Sequence, residues 1–239
     1  MMLRIRDLRK TRGQGSQRYS LEIPRLDLRG GQRLALVGPS GSGKSTVLDL
    51  LALVLSPDPG ALMEFDDAGS QHDLAALWRD GRQDALAALR GRAIGYVLQT
   101  GGLLGYLDVA GNIGLPRRLL GLPENGSVER LAKQLEIADQ LHKRPAALSV
   151  GQRQRVGIAR ALAHQPRLLL ADEPTASLDP LNAERVMHLL VEQAEYRELC
   201  LVVATHDHAL AERAGLVPLP IGLQRGADGG VTATLAEAR

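Results

Sequence analysis

Gly38-Pro-Ser-Gly-Ser-Gly-Lys-Ser-Thr46 stands between two apolar runs, Leu34-Ala-Leu-Val37 and Val47-Leu-Asp-Leu-Leu-Ala-Leu53. The first run reads as a buried strand and the second as a helix. A glycine-rich loop between them lies at a helix N-terminus, where the N–H groups are unpaired and point at an anion. The stretch fits G-x-x-x-x-G-K-[ST] without a gap, in the strand–loop–helix setting the mechanism requires. A nucleoside triphosphate is therefore the expected ligand. Gly38, Ser40, Gly41, Ser42 and Gly43 supply the cradle, Lys44 pairs with the β- and γ-phosphates, Ser45 ligates Mg²⁺ and Thr46 reaches the α-phosphate.

Arg167-Leu-Leu-Leu-Ala-Asp-Glu173 is a short apolar run ending in two acids. It has the pattern of a parallel strand buried on both faces, whose carboxyl end is where ligands bind. Asp172 is then placed to hold Mg²⁺, directly or through water, and Glu173 to polarise the water that attacks the γ-phosphate. The same acids also suit a helix N-terminus, since Pro174-Thr175 follows. The glycine-rich loop upstream favours the strand reading.

Leu148-Ser-Val-Gly-Gln152 precedes Arg153-Gln-Arg-Val-Gly-Ile-Ala-Arg-Ala-Leu162, in which positions 156, 158, 159, 162 and 163 form a helical apolar stripe. The Ser149 hydroxyl and the Gly151 N–H lie at the start of that helix and offer a second anion site. This segment resembles the signature of the ATP-binding-cassette ATPases. The resemblance implies that Ser149, Gly151 and Gln152 bind the γ-phosphate held by the other subunit's loop. Val150 departs from the family's usual glycine.

Three further positions fall in the order the resemblance requires. Gln99, after Ile94-Gly-Tyr-Val-Leu98, is similar to the glutamine that senses Mg²⁺ and the attacking water. Asp179, in Ser177-Leu-Asp179, resembles the aspartate that crosses the dimer interface. His206, after Leu201-Val-Val-Ala-Thr205, resembles the histidine that bonds the γ-phosphate. Each alone reads as an ordinary surface polar residue; order and spacing give them meaning.

The resemblance covers residues from about 3 to 225. It implies an α/β fold: a P-loop core with a parallel sheet, an antiparallel β subdomain and a mainly helical signature subdomain. The expected division is a catalytic core of about 1–97 and 158–239, with a helical subdomain of about 98–157. Aligning Asp7–Arg12 with the family's first strand puts Arg12 where an aromatic ring usually stacks on adenine. Either the Arg12 guanidinium stacks on the base, or Tyr19 reaches it. The alternation of Tyr19, Leu21 and Ile23 favours a plain strand role for Tyr19.

Composition narrows the partners. The 29 basic and 27 acidic residues leave a net charge of +2, which argues against a nucleic-acid face. Arg153, Arg155 and Arg160 read as a solvated helix face. Aromatics make up 3% of residues, so the core must rest on Leu, Val, Ile and Ala. Cys200 lies in an apolar run, where burial is expected. The longest apolar stretch, near Val47–Leu55, falls short of the ~18 residues of a membrane span. Any transport role therefore needs an integral permease on a separate chain. The chain itself would sit peripherally at the cytoplasmic face of the inner membrane.

Between Gly60 and Arg92 two helical patterns occur, Leu74–Trp78 and Leu86–Leu89, with Trp78 expected to pack. Pro116–Leu122 suits either a groove for the permease or an ordinary amphipathic turn. The glycines from 222 to 230 predict a terminal hairpin.

Tyr96–Leu103, the signature and Ala171–Asp179 are most similar to the lipoprotein-releasing and macrolide-export group, with a fainter likeness around Ala75–Leu104 to the type VI secretion-associated ATPase. The expected function is ATP hydrolysis in a head-to-tail dimer of two copies that transmits force to the permease. The alternative is a regulatory or scaffold cassette in a membrane signalling or cell-division complex.

Overall fold

The computed structural model describes residues 1–237, built on one curled ten-stranded sheet. The N-terminal part is antiparallel. β1 (Leu3–Arg12) pairs with β2 (Tyr19–Leu28) and with β4 (Leu62–Asp67), which turns into β5 (Ser70–Asp73). Salt bridges of Arg4 to Glu64 and Arg9 to Glu22 cross the solvent face of these strands, while Leu3, Ile5, Leu21 and Ile23 are buried on the other. This is the period-two pattern of a half-covered sheet.

The parallel part contains β3 (Arg33–Val37), β8 (Cys200–Thr205), β7 (Leu168–Asp172) and β6 (Ile94–Val97) in that spatial order. Every residue of β8 is buried, as expected for a strand covered on both faces. A hairpin of β9 (Val217–Arg225) and β10 (Val231–Leu235) joins the two halves: β9 runs parallel to β3 and β10 parallel to β2. The full order is β5-β4-β1-β2-β10-β9-β3-β8-β7-β6.

Two apolar cores pack against the sheet. One gathers β1, β2 and β4 with α1 (Lys44–Leu51), α2 (Leu74–Arg79) and α3 (Gln83–Ala93), and Phe65 is its one fully buried aromatic ring. The second gathers the other face of the parallel strands with α4 (Val109–Leu119), α5 (Ser127–Gln134), α6 (Val150–Leu162), α7 (Pro180–Tyr196) and α8 (His208–Arg213). Cys200 is buried, and burial pushes its thiol pKa up to about 12. Trp78 packs against the first core, and the terminal hairpin forms as expected. No helix of the described residues is long and apolar enough to cross a membrane.

The arginines of α6 overturn the solvated-face expectation. Arg155 is buried and pairs with Glu136 at 2.9 Å, while Arg153 donates to the Leu148 carbonyl at 2.6 Å. Arg160 donates to the carbonyls of Gly102 and Gly101 at 2.8 and 2.9 Å. Neighbouring loops pack on this helix, so Arg155 is buried, and Arg153 and Arg160, part-buried, spend donors on main-chain carbonyls instead of standing free in solvent.

Candidate functional site

The carboxyl ends of β3, β7 and β8 converge on one cleft of about 620 Å³. Its wall includes Ser40, Gly41, Gly43, Lys44, Ser45 and Thr46 from the loop into α1, with Gln99, Glu173 and His206 opposite. Arg12 and Tyr19 close a third side. Gly41 and Gly43 take φ of +77° and +93°, a region that residues with a Cβ avoid. The loop thereby turns tightly enough to offer its N–H groups to an anion at the start of α1.

Lys44 is buried at the first position of α1, and its Nζ donates to the Gly38 and Pro39 carbonyls at 2.9 and 3.2 Å. The ammonium thus lies folded over the loop, 3.6 Å from Glu173 Oε1. Ser42 is wholly buried, and its hydroxyl has no partner.

Ser45 Oγ donates to Asp172 Oδ1 at 3.1 Å. Burial raises the Asp172 pKa, the Ser45 bond opposes this, and Glu173 and Asp49 add to it. A hydroxyl and an under-compensated carboxylate side by side are oxygen donors of the type Mg²⁺ prefers, alongside phosphate oxygens. Glu173, just past β7, has φ of +44°, uncommon for a residue with a side chain, and its N–H is fixed by the Ala204 carbonyl at 2.9 Å. Backbone strain of this kind collects at functional sites. It aims the Glu173 carboxylate at His206, which follows β8; the His206 Nδ1 donates to Glu173 Oε2 at 2.8 Å.

Ser149, Gly151, Gln152 and Asp179 do not line this cleft. Ser149 caps α6 in a reciprocal box: its hydroxyl accepts from Gln152 N at 3.2 Å, and its own N–H donates to Gln152 Oε1 at 2.9 Å. Val150 occupies the first turn in ordinary helical geometry with its side chain exposed, so no glycine is needed there for backbone reasons. Asp179 caps α7 through Asn182, whose side chain and N–H bonds hold the carboxylate pKa below its ordinary value.

Residues that sequence reasoning passed over govern the loop after Gln99. Asn112, fully buried in α4, accepts from Leu104 N at 2.8 Å and donates to the carbonyls of Leu104, Leu107 and Asp108. Its signal was a lone amide on the apolar stripe of Val109 and Ile113. Arg160 ties the same loop to α6. Leu115, Pro116, Leu119 and Leu120 line a second cleft of about 330 Å³ with Tyr96 and Ile94, so Pro116–Leu122 is no isolated turn.

The protein-family model described as ABC transporter matches residues 21–176. The chain belongs to the ABC transporter family. The lipoprotein-releasing system ATP-binding protein LolD of Nitrobacter hamburgensis is 38% identical over 213 residues, covering 87% of this chain and 88% of its own length. LolD of Maricaulis maris is 40% identical over 191 residues, covering 79% and 80%. The solved dimeric post-hydrolysis state of the ATP-binding cassette MJ0796, bound to ADP and Pi, superposes with a TM-score of 0.77 at 31% identity, covering 96% of each chain. This family member is accordingly an ATPase with the cassette fold, and ATP is its substrate.

Proposed function

We propose that this ATPase dimerises head to tail on ATP and drives a separate membrane permease by transmitting force across the bacterial envelope, in the manner of the lipoprotein-releasing group. The carrying observation is that Ser149, Gly151 and Gln152 are absent from the wall of the cleft that holds Lys44 and Glu173. A second copy, related by two-fold symmetry, brings its own α6 N-terminus to that cleft and closes it. The LolD names of the relatives favour lipoprotein release over the type VI pathway.

Within each cleft Lys44 and the loop N–H groups hold the β- and γ-phosphates, and Thr46 the α-phosphate. Ser45, Asp172 and Gln99 hold Mg²⁺, which when bound neutralises phosphate charge. Glu173 takes the proton of the attacking water, His206 and the partner copy's signature serine bond the γ-phosphate, and Asp179 reaches across the interface. Core and helical subdomain, about 1–97 with 158–239 and about 98–157, move against one another through the loop at Gln99. The apolar cleft of Leu104, Leu115, Pro116 and Leu119 beside that loop receives a permease segment at the cytoplasmic face of the inner membrane. The balanced charge of +2 supports a role without nucleic acid.

Sedimentation of the Glu173→Gln protein with ATP and Mg²⁺ tests the interface: a dimer is expected, and monomers alone overturn it. Gentle detergent pull-down tests the load. A copurifying membrane protein with about four spans and a large extracytoplasmic domain, which stimulates ATP turnover, is expected; ATP binding without any turnover would favour the scaffold role instead.

A further inference from the structure

Tyr19 opens β2 on the face it shares with Leu21 and Ile23, and its half-buried ring packs on the core beneath α1. Its hydroxyl donates to the main-chain carbonyl of Ser42 at 2.9 Å. That carbonyl belongs to the same peptide unit as the N–H of Gly43, and in a trans peptide the two point in opposite directions. The described residues contain no cis peptide. Holding the Ser42 oxygen toward β2 therefore turns the Gly43 N–H the other way.

The loop needs such a holder. Gly43 lies at positive φ, and a peptide followed by glycine rotates with less steric resistance than one followed by a residue with a Cβ. A rotated Ser42–Gly43 unit would present a carbonyl oxygen, rather than an N–H, to the phosphate chain. A Cβ on Gly43 would overlap the Tyr19 hydroxyl, so the glycine serves this contact as well as the turn.

We propose that Tyr19 is a positioning residue whose hydroxyl orients the Ser42–Gly43 peptide and so presents the Gly43 N–H to the phosphates, in place of acting as a platform for the base. This rests on reading the cleft as the nucleotide site.

The test is titration of the full-length wild-type, Tyr19→Phe and Lys44→Ala proteins with ATP, GTP and inorganic tripolyphosphate, with the Gly43 amide resonance followed by NMR. Tyr19→Phe keeps the ring and loses one hydrogen bond, so affinity should fall by about three- to tenfold, equally for all three ligands. The response of the Gly43 amide to tripolyphosphate should shrink in parallel. Unchanged affinities overturn the proposal, as does a loss confined to ATP and GTP, which would make the residue a base contact. Lys44→Ala separates the two readings. If it leaves tripolyphosphate binding intact, the cleft assignment itself fails; if it abolishes binding while Tyr19→Phe is silent, only the role of Tyr19 fails.

Discussion

Glu173 and His206 hold one another: the His206 Nδ1 lies 2.8 Å from Glu173 Oε2, while Glu173 Oε1 lies 3.6 Å from Lys44 Nζ. Both carboxylate oxygens are thus engaged within the protein. On the proposed reading, a γ-phosphate that draws off Lys44 and His206 would release the carboxylate to accept a proton from water. Glu173→Gln should therefore lower phosphate release by about 10²–10⁴-fold with ATP affinity retained. A variant with near wild-type turnover would remove Glu173 from the chemistry.

Asp172 supplies a trade of stability against function. Its raised pKa, caused first by burial, means that folding favours the protonated acid. That contribution is present below the ordinary value of 3.8 and is lost as pH rises through the raised one. At neutral pH the ionised side chain costs stability, so Asp172→Asn should raise the unfolding midpoint of the nucleotide-free protein while abolishing Mg²⁺-dependent turnover. Calorimetry and phosphate release check both halves, and an unchanged or lower midpoint counts against the account.

His164 carries the opposite sign. Its Nε2 bonds the Ile94 carbonyl at 3.1 Å, and its buried Nδ1 has no partner. Burial lowers its pKa from 6.5, the Ile94 bond opposes this, and Arg117 adds to it. The stability it contributes is present above 6.5 and is lost as pH falls through the lowered value. Midpoints measured from about pH 7 to about pH 5 should fall less steeply in His164→Gln than in the wild type; parallel slopes would refute this.

Asn112 fastens the loop after Gln99 through its Oδ1, which accepts from Leu104 N, and through its amide hydrogens, shared among the carbonyls of Leu104, Leu107 and Asp108. Asn112→Leu takes the side-chain partner from the Leu104 N–H and the Leu107 carbonyl, while the Leu104 carbonyl keeps its bond from Leu107 N; this should cost about 1–3 kcal/mol in denaturant unfolding. Turnover should fall further than ATP affinity, because the displaced loop carries Gln99. Equal stability of the two proteins would show that water replaces the amide.

Arg12 faces Tyr19 in register at the end of β1 and β2 that the connecting turn closes, and both line the cleft. A guanidinium plane stacks on any base, so ATP and GTP should bind within about tenfold of each other, and Arg12→Ala should weaken both by about two- to fivefold. ATP preferred by more than that, with the preference abolished in Tyr19→Ala, would make Tyr19 the base platform.

The parts of the site visible in the chain were those whose chemistry is local. The phosphate loop, the Asp172-Glu173 pair and the Ser149 cap each need only neighbouring residues, and strand and helix fall around them as periodicity predicts. The likeness to the cassette family added Gln99, Asp179 and His206, which periodicity alone leaves as surface residues. What stayed hidden depends on distant contact. The burial of Arg155 and Arg160 is set by loops that fold over α6, and the reach of Tyr19 to Ser42 follows from how β2 lies against α1. Strand alternation names the face on which Tyr19 lies, but not the carbonyl waiting at the end of its ring.

The position of β3 has a consequence for synthesis. The strand bearing the phosphate loop finds its two neighbours in β8 and β9, which begin only at Cys200 and Val217. While the ribosome is still making the intervening helices, the nascent loop has no sheet to stand on and should not retain ATP. Competence would arrive late and abruptly, so half-made chains would not hydrolyse ATP.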